Sequence, residues 1–185
     1  MDKPPLLLHS CCAPCSSSVL ERLTAVYDVT LFYYNPNIFP KEEYLRRLSE
    51  QRRFLSDAYR GEVGLIEGEY EPERFKTAIS GFEGFPEGSE RCVKCYGLRL
   101  GETAKTARSR GYEYFVTTLS VSPRKNAAEI NEISAALSKE HGIKTFYADF
   151  KKKDGYKRSS ELSKKYGLYR QDYCGCAPKA RDYPR

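Results

Sequence analysis

No apolar run in this 185-residue chain approaches the ~20 residues that a bilayer-crossing helix needs. Leu6–Leu8 is too short for a signal-peptide core, and Lys3-Pro4-Pro5 is a poor lead-in to one. Both absences lead us to expect a cytoplasmic protein with no membrane partner. Nucleotide motifs are missing as well. No G-x-G-x-x-G follows a strand-like run and no Walker A sequence occurs. The first loop also lacks the Ser-Gly-Gly-x-Asp-Ser pattern of ATP pyrophosphatases, so activation of a substrate by ATP has no support. There is no internal repeat, low-complexity tract or linker. With 40% hydrophobic and 30% charged residues, residues 1–185 are expected to form one well-buried globular domain.

What the chain does have is cysteine. Its seven fall into three groups, Cys11-Cys12-x-x-Cys15, Cys92-x-x-Cys95 and Cys174-x-Cys176. In a reducing cytosol clustered thiols signal metal binding or redox catalysis rather than disulfides, and an odd number fits a disulfide framework poorly. A C-x-x-C pair at a helix start turns two thiolates toward one ion, and the helix N-terminus stabilises their charge. A 4Fe–4S cluster uses four thiolates, which leaves three. Consecutive side chains tend to diverge, so Cys11 and Cys12 are expected to serve two neighbouring centres. The reading is a cluster together with either a second metal or a free redox thiol pair. A structural zinc would more naturally sit on a peripheral loop than beside the opening strand. Asp172 and Asp149 are the candidate oxygen ligands of a second ion, and with that the candidate catalytic carboxylates.

The placement of these residues follows from a strand–helix alternation. Strands are expected at Pro5–His9, Val29–Tyr34, Val63–Ile66, Tyr114–Leu119 and Thr145–Asp149. Ser16–Ser18 can cap a first helix, Pro40 opens a long second one, and helices are expected at Glu71–Ile79, Cys92–Ser109, Asn126–Lys139 and near Ser159–Tyr166. Alternation of this kind implies a Rossmann-like α/β domain, a parallel five-stranded sheet flanked by helices. Ligands of open parallel sheets bind beyond the carboxyl ends of the strands. There the chain delivers Cys11, Cys12 and Cys15, then Asn35 and Asn37, Thr117, Thr118 and Ser120, and Asp149.

Charge is uneven. The formal net charge is +6, and the stretch from Lys151 to Arg170 alone carries eight basic residues against Asp154 and Glu161. Such an excess suits a polyanionic partner. Lys151, Lys152, Lys153, Lys157 and Arg158 are its candidate contacts, and Arg124 and Lys125, at the entrance to the helix after the fourth strand, form a candidate phosphate site. Fifteen tyrosines are many for this length; Tyr33, Tyr34, Tyr44, Tyr96 and Tyr173 are candidates for stacking a splayed base. His9 reads as a packed strand residue rather than a ligand.

Taken together, the stretches His9-Ser10-Cys11-Cys12-Ala13-Pro14-Cys15, Tyr34-Asn35-Pro36-Asn37-Ile38, Arg91-Cys92-Val93-Lys94-Cys95-Tyr96 with Leu98-Arg99-Leu100, Ser122-Pro123 with Lys125-Asn126, Asp149-Phe150-Lys151-Lys152 with Gly155-Tyr156, and Tyr169-Arg170-Gln171-Asp172-Tyr173-Cys174-Gly175-Cys176 resemble the QueH type of epoxyqueuosine reductase. They span nearly the whole chain. The resemblance implies an HUP-type fold, an iron–sulfur enzyme, and cobalamin-independent reduction of epoxyqueuosine to queuosine at the wobble position of tRNA; the second metal that the cysteine arithmetic allows beside a 4Fe–4S cluster would be a mononuclear iron. It also implies tRNA and an external electron donor as partners, with the basic 151–185 segment closing the metal site. A cluster-dependent tRNA thiolase is disfavoured by the missing ATP loop. A zinc-stabilised RNA-binding module predicts no cluster, and a thiol–disulfide oxidoreductase leaves five cysteines unexplained.

Overall fold

The computed structural model describes residues 3–176; the end of the expected closing segment, from 177 onward, lies outside the described residues. The first strand, β1 (Pro5–His9), is an unbroken apolar run whose Leu6, Leu7 and Leu8 are fully buried. A strand apolar at every position belongs at the centre of a parallel sheet covered on both faces, and β1 lies between β2 (Asp28–Tyr33) and β4 (Tyr114–Thr117), with β3 (Gly64–Glu67) outside β2. All pairings are parallel, with Leu8 opposite Leu31 and Val116.

Alternation along β1 separates the two cores. Leu6 and Leu8 pack with Val19, Leu20 and Leu23 of α1 (Ala13–Leu23) and Phe54 and Leu55 of α2 (Lys41–Tyr59). Leu7 faces the other way, with Phe32 and Phe115, toward Ala104 and Ala107 of α4 (Glu90–Ser109). Each buried leucine contributes roughly 1.5–3 kcal/mol. Between α2 and α4 comes the short α3 (Pro72–Ala78). α5 (Ala127–His141) packs on α4, and α6 (Gly155–Lys165) packs on α1.

The sheet has four strands where five were expected. Lys144, just before the 145–149 stretch, makes an isolated parallel bridge to Tyr114, and the chain then leaves the sheet. Two groups draw it away. The Asn131 side chain takes both backbone groups of Ala148, at 2.8 and 3.0 Å, and Ser120 Oγ accepts from Phe150 N. β4 itself ends early because the Thr117 side chain accepts from Leu119 N and turns the chain into a 3-10 helix, Thr118–Val121. The first helix also starts earlier than expected. Pro14 fits its opening turn, so Ser16 and Ser17 lie inside it and their hydroxyls donate back to Ala13 and Pro14 carbonyls.

Candidate metal centre

β2 and β3 lie on one side of β1 and β4 on the other, so the chain reverses direction across the sheet at the β1–β4 gap. Such a gap opens a crevice at the carboxyl edge, and the first cysteine group is delivered there. After His9 the chain bends, and Cys12 stands as the N-cap of α1 in extended conformation (φ −175°, ψ 160°). The bend brings the Cys11 and Cys12 sulfurs to 3.7 Å, and together with Cys15 all three lie within 4.8 Å of one another. Thiolates ~2.3 Å from one tetrahedral ion stand ~3.8 Å apart. The expected divergence of Cys11 and Cys12 therefore does not occur, because the strand has already ended. Ser10 and Ser16 bracket the loop, and both donate to Gln51 Oε1 of α2, at 2.8 and 3.1 Å.

The three thiols share one negative charge. Hydrogen bonds from Cys12 and Cys15 hold Cys11 well below the usual thiol range, and the same bonds push Cys12 up to about 12 and Cys15 well above its ordinary value.

Helix α4 carries the second group. Cys92, Cys95 and Arg99 recur at three and four residues, one face of the helix. Cys92 Sγ accepts from Gly88 N at 3.2 Å, and burial pushes the Cys95 thiol up to about 11. The third group arrives on the segment after α6. Gly175 sits between Cys174 and Cys176 at φ +100°, a conformation that suits glycine. Its carbonyl accepts from Phe39 N at 2.9 Å. Arg47 of α2 donates to the carbonyls of Cys174 (2.8 Å) and Tyr173 (3.4 Å) while paired with Glu43 at 2.6 Å. A hydrogen bond from Cys176, helped by the charges of Lys125 and Arg99, holds Cys174 down to about 5; the same bond pushes Cys176 up. Cys176 packs against the apolar cluster that contains Cys95, and Cys11 against the one that contains Cys92, so the groups are neighbours.

Between them opens a cavity of about 170 Å³, lined by Cys11, Cys12, Cys15 and Cys174 with Arg99, Lys125 and Asp172. It equals the volume of five or six waters at ~30 Å³ each, room for one small ring. A family model described as "Epoxyqueuosine reductase QueH" matches residues 6–182. The chain belongs to the QueH family. Proteins named epoxyqueuosine reductase QueH are 44% identical in Staphylococcus epidermidis, over 95% of this chain and 76% of the relative, and 41% identical in Streptococcus pyogenes, over 97% and 71%. The namesake of Thermotoga maritima is 40% identical over 92% of this chain and 88% of its own length.

For this QueH chain the structure sorts the expected site residues. Asp172 lines the cavity. Asp149 does not; its carboxylate is held by Lys151 at 2.8 Å and Lys152 at 4.0 Å. Arg124 and Lys125 line the cavity, and Lys125 Nζ lies 3.9 Å from Cys174 Sγ. Burial works against the charge on Lys125, but Cys174, Tyr96 and Cys11 together outweigh it and hold the ammonium protonated. Arg158 is paired with Glu21 and Glu161, whereas Lys153 and Lys157 are exposed. His9 is fully buried: its Nε2–H donates to Tyr34 O at 3.2 Å, and Nδ1 accepts from Thr117 Oγ1 at 2.9 Å. Burial, and secondarily the Arg99 charge, lower its pKa to about 3, so it stays neutral.

Of the five candidate stacking tyrosines, Tyr33, Tyr34, Tyr44 and Tyr96 are buried in the core, whereas Tyr173 lines the cavity. Tyr156, exposed at the mouth with the Arg170 guanidinium 5.0 Å from its ring centre, was given no role from sequence. Nor were Arg47, Gln51 and Arg99. For Arg99 the helical spacing from Cys92 and Cys95 was the available signal.

Proposed function

We propose that this chain reduces epoxyqueuosine to queuosine in the wobble position of tRNA, the last step of queuosine synthesis, without cobalamin and in the cytoplasm. The observation that carries the reading is the meeting of Cys11, Cys12, Cys15 and Cys174 around one small cavity at the sheet edge, in a member of this family. The overall change is balanced by two electrons and two protons: both C–O bonds of the epoxide break, a C=C bond forms, and the oxygen leaves as water. The electrons come from an external donor. The HUP-type assignment of the sheet belongs to the same reading.

The residues fit an iron–sulfur centre. Cys92, Cys95, Cys174 and Cys176 would provide the four thiolates that a 4Fe–4S cluster uses. The Cys11, Cys12 and Cys15 triad, at single-ion spacing, would hold a mononuclear iron, with Asp172 as the nearby oxygen donor. When bound, these groups would supply electrons singly and a Lewis acid for the epoxide oxygen. The chain's own groups do the rest. Lys125, charged at the cavity wall, donates a proton to the departing oxygen. The cavity admits the epoxide-bearing ring and excludes the body of the tRNA, so the modified base must be splayed out to reach it. Arg124 and Arg170 at the rim, and exposed Lys153 and Lys157, contact backbone phosphate.

Anaerobically purified protein given epoxyqueuosine-containing tRNA and a chemical reductant should yield a nucleoside lighter by one oxygen atom. Iron-loaded protein that leaves the nucleoside unchanged would overturn the reading, as would zinc in place of iron, the outcome expected of an RNA-binding module. Mössbauer spectra test the division of ligands. Cys95→Ser should lose the cluster, and Cys15→Ser should lose only the mononuclear iron.

A further inference from the structure

Arg99 is 1% exposed and reaches the middle of the cysteine constellation from α4. A buried guanidinium needs compensating negative charge, since isolated ions pay a heavy desolvation penalty. Among the described residues no carboxylate pairs with it. Nη2 donates to Asn35 Oδ1 at 2.6 Å, and Nη1 lies 3.9 Å from Cys95 Sγ. The Nε–H, also buried, has no partner among the described residues. Asn35 is held in this orientation because its Nδ2 donates to Ser10 O at 2.9 Å, which leaves Oδ1 for the arginine. An amide accepts the hydrogen bond and cancels no charge. The groups whose charges act on Arg99 most are Cys95, Cys11 and Cys174, one from each cysteine group.

We propose that Arg99 is the built-in counter-charge of the metal centre, a positioning residue that raises its reduction potential. The inference rests on the cluster reading above. A thiolate-ligated cluster is anionic and gains one negative charge on reduction. A fixed cation a few ångströms away in a dry site therefore stabilises the reduced form more than the oxidised one, and net charge and hydrogen bonds to sulfur are recognised levers on cluster potential. Asn35 keeps that charge unspent by pairing with it as a neutral acceptor. The consequence for the reaction is an easier electron uptake from the external donor.

The test is an EPR-monitored reductive titration of the anaerobic holoprotein, with visible absorption and iron content measured first. If wild-type protein holds no cluster, the functional reading fails, and Arg99 loses its proposed role with it. If the cluster is present, Arg99→Gln, which keeps a hydrogen-bonding side chain but removes the charge, should shift the reduced-to-oxidised ratio at least tenfold toward the oxidised form, about 59 mV downward for one electron. Arg99→Lys should recover more than half of the shift. An Arg99→Gln holoprotein at wild-type potential overturns the proposal, and so do equal shifts in Gln and Lys variants, which would assign the effect to shape. Should Arg99→Gln fail to load iron, Asn35→Asp decides. A carboxylate in place of the Asn35 amide cancels the guanidinium, and a potential unchanged from wild type refutes the idea.

Discussion

Arg47→Met is the perturbation whose size the structure fixes best. Arg47 is 2% exposed and its Nε donates to Glu43 Oε1 at 2.6 Å, with Glu43 itself 8% exposed. Removing one partner of such a pair strands the other charge, at a cost of ~3–5 kcal/mol. The Tyr169 hydroxyl, 3.1 Å from Glu43, softens this only in part. For a domain of this length each kcal/mol shifts Tm by ~2–4 °C, so the variant should melt roughly 6–20 °C below wild type. A second loss is local. The carbonyls of Cys174 and Tyr173 lose their charged donor, and the segment bearing Cys174 and Cys176 loses its clamp. Glu43→Leu with Arg47→Met separates the two effects. With no stranded carboxylate the double variant should regain most of the Tm, yet it should still bind iron poorly. Differential scanning calorimetry and iron analysis of anaerobic protein read both. A single variant melting within 2 °C of wild type, or a double variant with full iron content, would refute the reasoning.

Gly175→Ala places a side chain at φ +100°, with its Cβ 3.3 Å from the Arg47 guanidinium and from Ile38 Cγ2. A cost of ~1–3 kcal/mol is expected, read as a lower Tm together with loss of cluster iron. Gln51→Leu removes the acceptor shared by Ser10 and Ser16. It should loosen the triad loop, and Mössbauer spectra should show mononuclear iron falling while the cluster persists. Lys153→Ala with Lys157→Ala removes two exposed cations. If both contact phosphate, tRNA affinity should fall and the slope of log K against log salt should flatten by up to about 2, measured by fluorescence anisotropy at several salt concentrations.

The elements that could be read from sequence were those fixed by local pattern. Pro5–His9 reads as a strand, Cys92–Ser109 as a helix with its C-x-x-C in the first turn, and Asn126 as a helix start; each is present within a residue or two. The failures have long-range causes. Residues 145–149 carry a strand-like pattern, but Asn131, 17 positions away, takes the backbone of Ala148, and no propensity foretells that contact. Cys11 and Cys12 were expected to diverge because consecutive strand side chains do. The bend after His9, fixed by Asn35, Ser10 and Gln51 contacts from three separate segments, turns both sulfurs the same way. The candidate carboxylates divided for a similar reason. Asp172 travels with the clamped C-terminal segment to the cavity, whereas Asp149 lies near lysines that satisfy it.

Arg47 and Arg99 show how the same side chain is put to opposite uses in this interior. Both are almost completely buried, and both lie within hydrogen-bond reach of the cysteine-bearing segments. Arg47 is paired with Glu43, and its remaining donors act as a directional clamp on peptide carbonyls. Arg99 faces Asn35 instead, and its charge stays available to the sulfurs. Exchanging the two environments tests that logic at the level of the pair. Asn35→Asp gives up the donor to Ser10 O but sets a carboxylate against Arg99, as Glu43 is set against Arg47, and the loaded centre should become harder to reduce. If the loaded Asn35→Asp protein kept the wild-type potential, the charge of Arg99 would not be acting on the thiolate centre, and the assignment of that role would fall.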